Sequence, residues 1–104
     1  MIDIKLIPII ERALEFPLND MQLRYLTTKE RCSWRGRKTG YTTAYIVNLA
    51  LNTDIEIRLS DLVIGKYNDE FNHGSQYNLW FKYELLEIRD KLSMVGLPVV
   101  KTIE

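Results

Sequence analysis

The stretch Gly36-Arg37-Lys38-Thr39-Gly40-Tyr41-Thr42-Thr43 holds the residue types that phosphate binding needs. Glycines let backbone N–H groups converge on phosphate oxygens, hydroxyls can hold magnesium, and a helix starting behind them adds the partial positive charge of its N-terminus. Gly36 and Gly40 bracket a turn, Arg37 and Lys38 bring charge, Thr39, Thr42 and Thr43 bring hydroxyls, and an apolar run follows at once. Two positions depart from the full pattern G-x-x-x-x-G-K-[ST]. Tyr41 stands where the lysine that reaches the β- and γ-phosphates belongs, and Arg35 stands at the first glycine, with Gly36 shifted by one. The chemistry expected is therefore anion binding by the amides of Gly40 and Thr42, without hydrolysis. The same residues also fit a Gly-punctuated turn in which Thr39 caps a buried helix and the basic side chains are solvated, or a protein interface.

Five of the 14 basic residues, Lys29, Arg31, Arg35, Arg37 and Lys38, fall within ten positions against the single acid Glu30. Trp34 lies among them, so Arg31, Trp34 and Arg35 could form a stacking platform in a basic groove for single-stranded nucleic acid, or Trp34 could simply be core. Cys32 has basic neighbours but no acid–base partner nearby and reads as a structural thiol. His73 is the only histidine, and one ligand does not make a metal site. Tyr77, Trp80, Phe81 and Tyr83 cluster near the start of a strongly periodic segment. They read as core, with Tyr77, Trp80 and Tyr83 as an alternative protein interface, because aromatics are enriched in interface cores.

Residues 36–43 resemble the start of the ATPase core of viral terminase large subunits and superfamily 2 helicases, in which a loop x-R-x-x-G-K-T-T follows an upstream glutamine that reads adenine. The match holds except at Tyr41, and Phe16-Pro17-Leu18-Asn19-Asp20-Met21-Gln22 is similar to the aromatic-then-glutamine element. The resemblance covers residues 16–51, about a third of the chain. It implies a nucleotide or phosphate pocket using Gln22, Arg37, Gly40 and Thr42. The acidic strand of that family has no counterpart: Asp69-Glu70 follows Lys66-Tyr67-Asn68, and Asp61 follows Ile57-Arg58-Leu59-Ser60, neither an apolar strand.

These residues sit in a chain of 104, with 46% hydrophobic and 27% charged residues, the size and composition of one globular domain spanning 1–104. Acids and bases balance at 14 each, so no global field favours nucleic acid or an acidic membrane. A lone cysteine suits a reducing compartment, and neither a secretory leader nor a membrane-length apolar run is seen, which makes a cytoplasmic location the expectation.

The elements expected to position the loop follow from periodicity and punctuation. Pro8 in a first turn and Pro17 beyond the end bound a short helix burying Ile7, Ile10 and Leu14. Asn19 followed by Gln22 has the form of an N-cap with its capping-box partner, starting a helix that buries Leu23 and Leu26 and ends near Thr27-Thr28. Cys32-Ser33-Trp34 is a candidate short strand. Residues 42–51 are apolar nearly all round, a helix buried on most sides. Residues 54–59 alternate Ile55, Ile57 and Leu59 with Glu56 and Arg58, the period of a half-buried strand. Leu62-Val63-Ile64 reads as a second strand or a short helix, and residues 68–78 as a loop expected to be the most flexible part. Phe81, Leu85, Ile88, Leu92 and Val95 form one helical stripe with a Glu87/Lys91 pair, stopped by Gly96 and Pro98. Residues 99–103 complete a strand.

The fold expected is a small single α/β domain, a short sheet of three or four elements flanked by helices, carrying a degenerate P-loop-like strand-loop-helix. The function expected is a non-catalytic, phosphate- or nucleic-acid-binding accessory protein. Its required cofactors are none, with nucleotide as the candidate ligand of the loop. The alternative is a phage- or mobile-element-type protein, inhibitor or adaptor, that binds another protein and holds no ligand at the loop.

Overall fold

The computed structural model of the chain describes residues 2–28, 41–67 and 75–103. It begins with a single 3-10 turn at Ile4–Leu6, where the Asp3 carboxylate accepts from the Lys5 amide at 2.9 Å. This turn runs into α1, Ile7–Leu14, with Pro8 in the first turn as expected. Ile7, Ile10, Ala13 and Leu14 are buried on one side, at the spacing of a helical face. The helix ends where Glu15 turns left-handed, at φ 66°, a conformation that L-residues adopt at some cost. Glu11 then reaches forward to accept from the Leu18 amide at 2.7 Å, and Leu18 is buried at the entry to the next helix.

That helix, α2, spans Asp20–Thr28 and carries the predicted capping box in both directions. The Gln22 amide donates to Asn19 Oδ1 at 2.8 Å, and the Asn19 amide donates to Gln22 Oε1 at 2.9 Å. Two N–H groups that the first turn would otherwise leave unsatisfied are thereby paired. Leu26 is buried as expected, but Tyr25 and Gln22 fill the remaining inward positions and Leu23 is only half-buried. The Ile2 amide donates to the Leu26 carbonyl at 2.9 Å, holding the N-terminal segment against α2.

Helix α3, Tyr41–Ala50, packs against α2 and buries Ala44, Ile46, Val47 and Ala50, the broad burial that its composition requires. A turn in which Asn52 Oδ1 accepts from the Asp54 amide leads to β1, Glu56–Arg58. Only Ile57 of the three is buried. The alternation predicted a strand through Leu59, but Leu59 instead opens α4, Leu59–Val63. Leu62 is its buried residue, so Leu62-Val63-Ile64 resolves as helix rather than strand. Gly65, at φ 81°, ends α4: its amide donates to the Leu62 carbonyl and that of Lys66 to the Asp61 carbonyl. This pair of bonds is a Schellman cap, which needs a left-handed residue at the glycine position.

The longest element, α5, spans Ser75–Met94 and begins earlier than sequence punctuation suggested, taking 75–78 out of the expected loop. Tyr77 lies one turn before Phe81, with ring centroids 6.3 Å apart, so the aromatic contact extends the helix backwards. Phe81, Leu85, Ile88 and Leu92 are all buried, while Val95 is half-buried past the end. The same Schellman geometry recurs at Gly96, φ 90°, whose amide reaches the Ser93 carbonyl while Leu97 reaches Leu92. The remainder of the loop expected at 68–78 lies outside the described residues.

After Pro98 the chain crosses back to β2, Lys101–Ile103, which pairs with β1 in parallel, Glu56 opposite Lys101, Ile57 opposite Thr102 and Arg58 opposite Ile103. Val100 precedes the strand and is fully buried. It is clamped from two sides, its amide donating to the Ala50 carbonyl at 2.7 Å and its carbonyl accepting from Arg89 Nε at 2.6 Å. Among the described residues the sheet has two strands, not three or four. A parallel pair needs a crossover, and α4 with α5 supplies it. The result is a mostly helical small α/β domain with α5 at its centre, packed against α1, α3 and α4. Its radius of gyration, 13.2 Å, is that of a compact domain of this length.

Candidate functional site

Gly36, Arg37, Lys38, Thr39 and Gly40, together with Lys29, Arg31, Cys32, Trp34, Arg35, Asp69, Glu70 and His73, lie outside the described residues. The flanks of the loop segment are described. Helix α2 closes at Thr28 and α3 opens at Tyr41, immediately after Gly40. Thr42 and Thr43 fall in the first turn of α3 with half-buried side chains. The positive end of the ten-residue α3 is thus adjacent in sequence to the last loop glycine. The described element upstream of the segment is a helix packed on α3, and both described strands come later in the chain.

Gln22 is 5% exposed, and its amide oxygen is the acceptor of the capping box. That assigns it a definite structural task at the start of α2. Asp61 lies in α4 and faces Lys66 at 3.6 Å, an ion pair within the capped end of that helix. Among the described residues there is no group of three or more His, Cys, Asp or Glu side chains able to hold a metal ion. No helix among them is long and apolar enough to cross a membrane.

The aromatic cluster is described in full, and the helix divides it. Phe81 is fully buried and meets Tyr45 of α3 at 6.2 Å between ring centroids. The Tyr45 hydroxyl donates to the Tyr67 carbonyl at 2.9 Å, which ties α3 to the turn after α4. Tyr77 is half-buried between Phe81 and Trp80, its centroid 5.4 Å from that of Trp80. Trp80 and Tyr83 face outward, 45% and 64% exposed, with Leu79 beside them at 41%. Lys82 extends over the Tyr83 ring at 5.8 Å.

Residues three and four apart share a helix face, so Gln76, Trp80, Tyr83, Glu87, Asp90 and Met94 form a single outward stripe opposite Phe81, Leu85, Ile88 and Leu92. Gln76, Trp80 and Tyr83 make its first half, and the acids Glu87 and Asp90 with the exposed Met94 make its second. Of the interface candidates read from sequence, Trp80 and Tyr83 are on this stripe and Tyr77 is at its inner edge. Leu79 and Asp90 were not singled out, and Glu87 was read only as the partner of Lys91, a pair the structure forms at 3.5 Å. Counting outward from the buried stripe by half a turn would have found them.

No protein-family model, curated protein or solved structure matches the chain.

Proposed function

We propose that the chain is a small non-catalytic adaptor or inhibitor that binds another protein through the outward face of α5. The observation that carries this reading is the exposure of Leu79, Trp80 and Tyr83 on one face of a helix whose opposite face is fully buried. Large apolar side chains on a solvent face lose nothing by leaving it and gain from burial against a partner, and Trp and Tyr are the commonest energetic anchors of interfaces. The test compares two double variants in pull-downs from cells of the source organism. Trp80→Ala with Tyr83→Ala should abolish partner recovery, while Arg37→Ala with Lys38→Ala should leave it intact. The reverse pattern sinks the proposal.

A second reading keeps the loop as the site. In it, the segment resembling a P-loop holds a phosphate, of a nucleotide or a nucleic-acid backbone, through Gly36, Gly40, Thr42 and Thr43, with charge from Arg37 and Lys38 and Gln22 near adenine. Arg31, Trp34 and Arg35 extend the site for nucleic acid. The start of α3 at Tyr41 favours it, because a helix N-terminus directly behind the second glycine is what such a loop requires. Calorimetry with ATP, GTP, polyphosphate and DNA at low salt decides the matter, and the absence of a heat signal with all four removes this reading. Both readings suit a reducing, cytoplasmic setting.

A further inference from the structure

Residues 99–103 are held to the domain differently from the helices. β2 packs on β1, and of its three residues Lys101 is exposed while Thr102 and Ile103 are half-buried. A short parallel ladder is a weak attachment, because its slanted bonds are slightly less stable per residue and a two-stranded sheet has little stability of its own. Burial in this segment is concentrated in Val100, with Val99 half-buried beside it. Val100 also carries two backbone anchors. Its amide donates to the Ala50 carbonyl at the end of α3, 2.7 Å, and its carbonyl accepts from Nε of the half-buried Arg89 on α5, 2.6 Å.

The helix in front of this segment is complete before the segment begins. The Gly96 amide reaches the Ser93 carbonyl and the Leu97 amide the Leu92 carbonyl, so the Schellman cap closes α5 with residues that precede Pro98. Pro98 has no N–H to lose and disfavours a helical Leu97, which keeps α5 from running on. We propose that residues 99–103 form a strap that opens as one unit about Pro98 while α1, α3 and α5 stay packed, with Val100 as its plug and Arg89 as its latch. Opening uncovers the edge of β1, Glu56–Arg58, and takes the Val100 donor away from the Ala50 carbonyl. It breaks a three-residue ladder, two anchoring bonds and one fully buried side chain. Undoing α5 exposes Phe81, Leu85, Ile88 and Leu92 together, so the strap opens many times for each unfolding of the core. The device holds whichever surface binds a partner.

Native-state hydrogen exchange of the full chain, read by NMR in urea below the unfolding transition and where exchange reports the opening equilibrium, tests this. The Val100 amide should be protected about a hundredfold less than the amides of Leu85 and Ile88. Its exchange should respond only weakly to urea, because opening the strap exposes little surface, whereas exchange in α5 should follow the steep slope of global unfolding. Two substitutions separate the strap from the core. Ile10→Val, at a fully buried position of α1, should lower protection of Leu85 and Ile88 about fivefold and leave that of Val100 unchanged, since the open form keeps the core contacts. Arg89→Met removes the latch and should speed Val100 exchange about tenfold, as expected for losing a charged hydrogen-bond donor. Equal protection and equal urea slopes at Val100 and Leu85 overturn the strap, and so does an Ile10→Val effect of the same size at both. Unchanged Val100 exchange in Arg89→Met overturns the latch.

Discussion

Replacing Gln22 with alanine separates a structural from a ligand-reading role for this residue. The substitution deletes the oxygen that accepts from the Asn19 amide at 2.9 Å and empties a site only 5% exposed. Stranding a partly buried donor costs about 1–3 kcal/mol, so about 2 kcal/mol is expected. Asn19→Ala removes the reciprocal bond to the Gln22 amide, 2.8 Å, and should cost about 1.5 kcal/mol, within the range for an N-cap. The two bonds hold one turn together, so the double variant should lose about 2.5 kcal/mol, roughly 1 less than the sum. A domain of this size has about 5–15 kcal/mol to lose, so all three variants stay folded. Urea melts followed by far-UV circular dichroism in nucleotide-free buffer measure this. With a slope of about 1.3 kcal/mol per molar, Gln22→Ala should lower the midpoint by roughly 1.5 M. An unchanged midpoint, or strict additivity of the two substitutions, refutes the capping-box argument and returns Gln22 to the ligand reading.

Three further outcomes follow from other elements. Gly96→Ala should destabilise by about 1 kcal/mol through the left-handed φ of 90° alone, since the added Cβ meets nothing within 4 Å; a thermal melt should show a fall of roughly 5 °C, and no fall denies the Schellman cap. Glu15→Gly relieves a non-glycine φ of 66° and should raise stability by up to about 1 kcal/mol in urea melts, with a loss of stability counting against the strain argument. Neighbours on α5 should diverge: Phe81→Ala costs about 4 kcal/mol and Trp80→Ala less than about 1 kcal/mol, so equal shifts in melting temperature would contradict the division of the helix into buried and outward faces.

Local signals in the chain were enough to place most helices. Pro8 and Pro17 bound α1, the Asn19/Gln22 pair marked the start of α2, and the stripe from Phe81 to Leu92 with Gly96 behind it defined α5 and its end. Each of these is decided within one or two turns, where capping, φ restriction and side-chain periodicity act directly on the backbone. The short β1 was foreseen too, but with the wrong end. Leu59 continues the alternation of Ile55 and Ile57, and nothing local says that the chain turns into a helix there; the decision falls to Leu62, which is buried, and to the cap at Gly65.

For the candidate sites the division runs the same way. Residue types alone marked the glycine-bracketed segment 36–43 and the aromatic cluster as the two places where binding chemistry is concentrated. Which aromatics are core and which are surface was beyond them, because Phe81 and Trp80 are adjacent and equally apolar. That choice belongs to the tertiary structure: α1, α3 and α4 cover one side of α5 and leave the other side to solvent, so Phe81 meets Tyr45 while Trp80, Tyr83 and the acids Glu87 and Asp90 align outward. The parallel pairing of β1 with β2 is likewise non-local, since 43 residues of sequence separate Ile57 from β2 before the clamp of Val100 by Ala50 and Arg89 brings them together. Periodicity tells a segment which shape to take; only packing against distant segments tells it which face to hide.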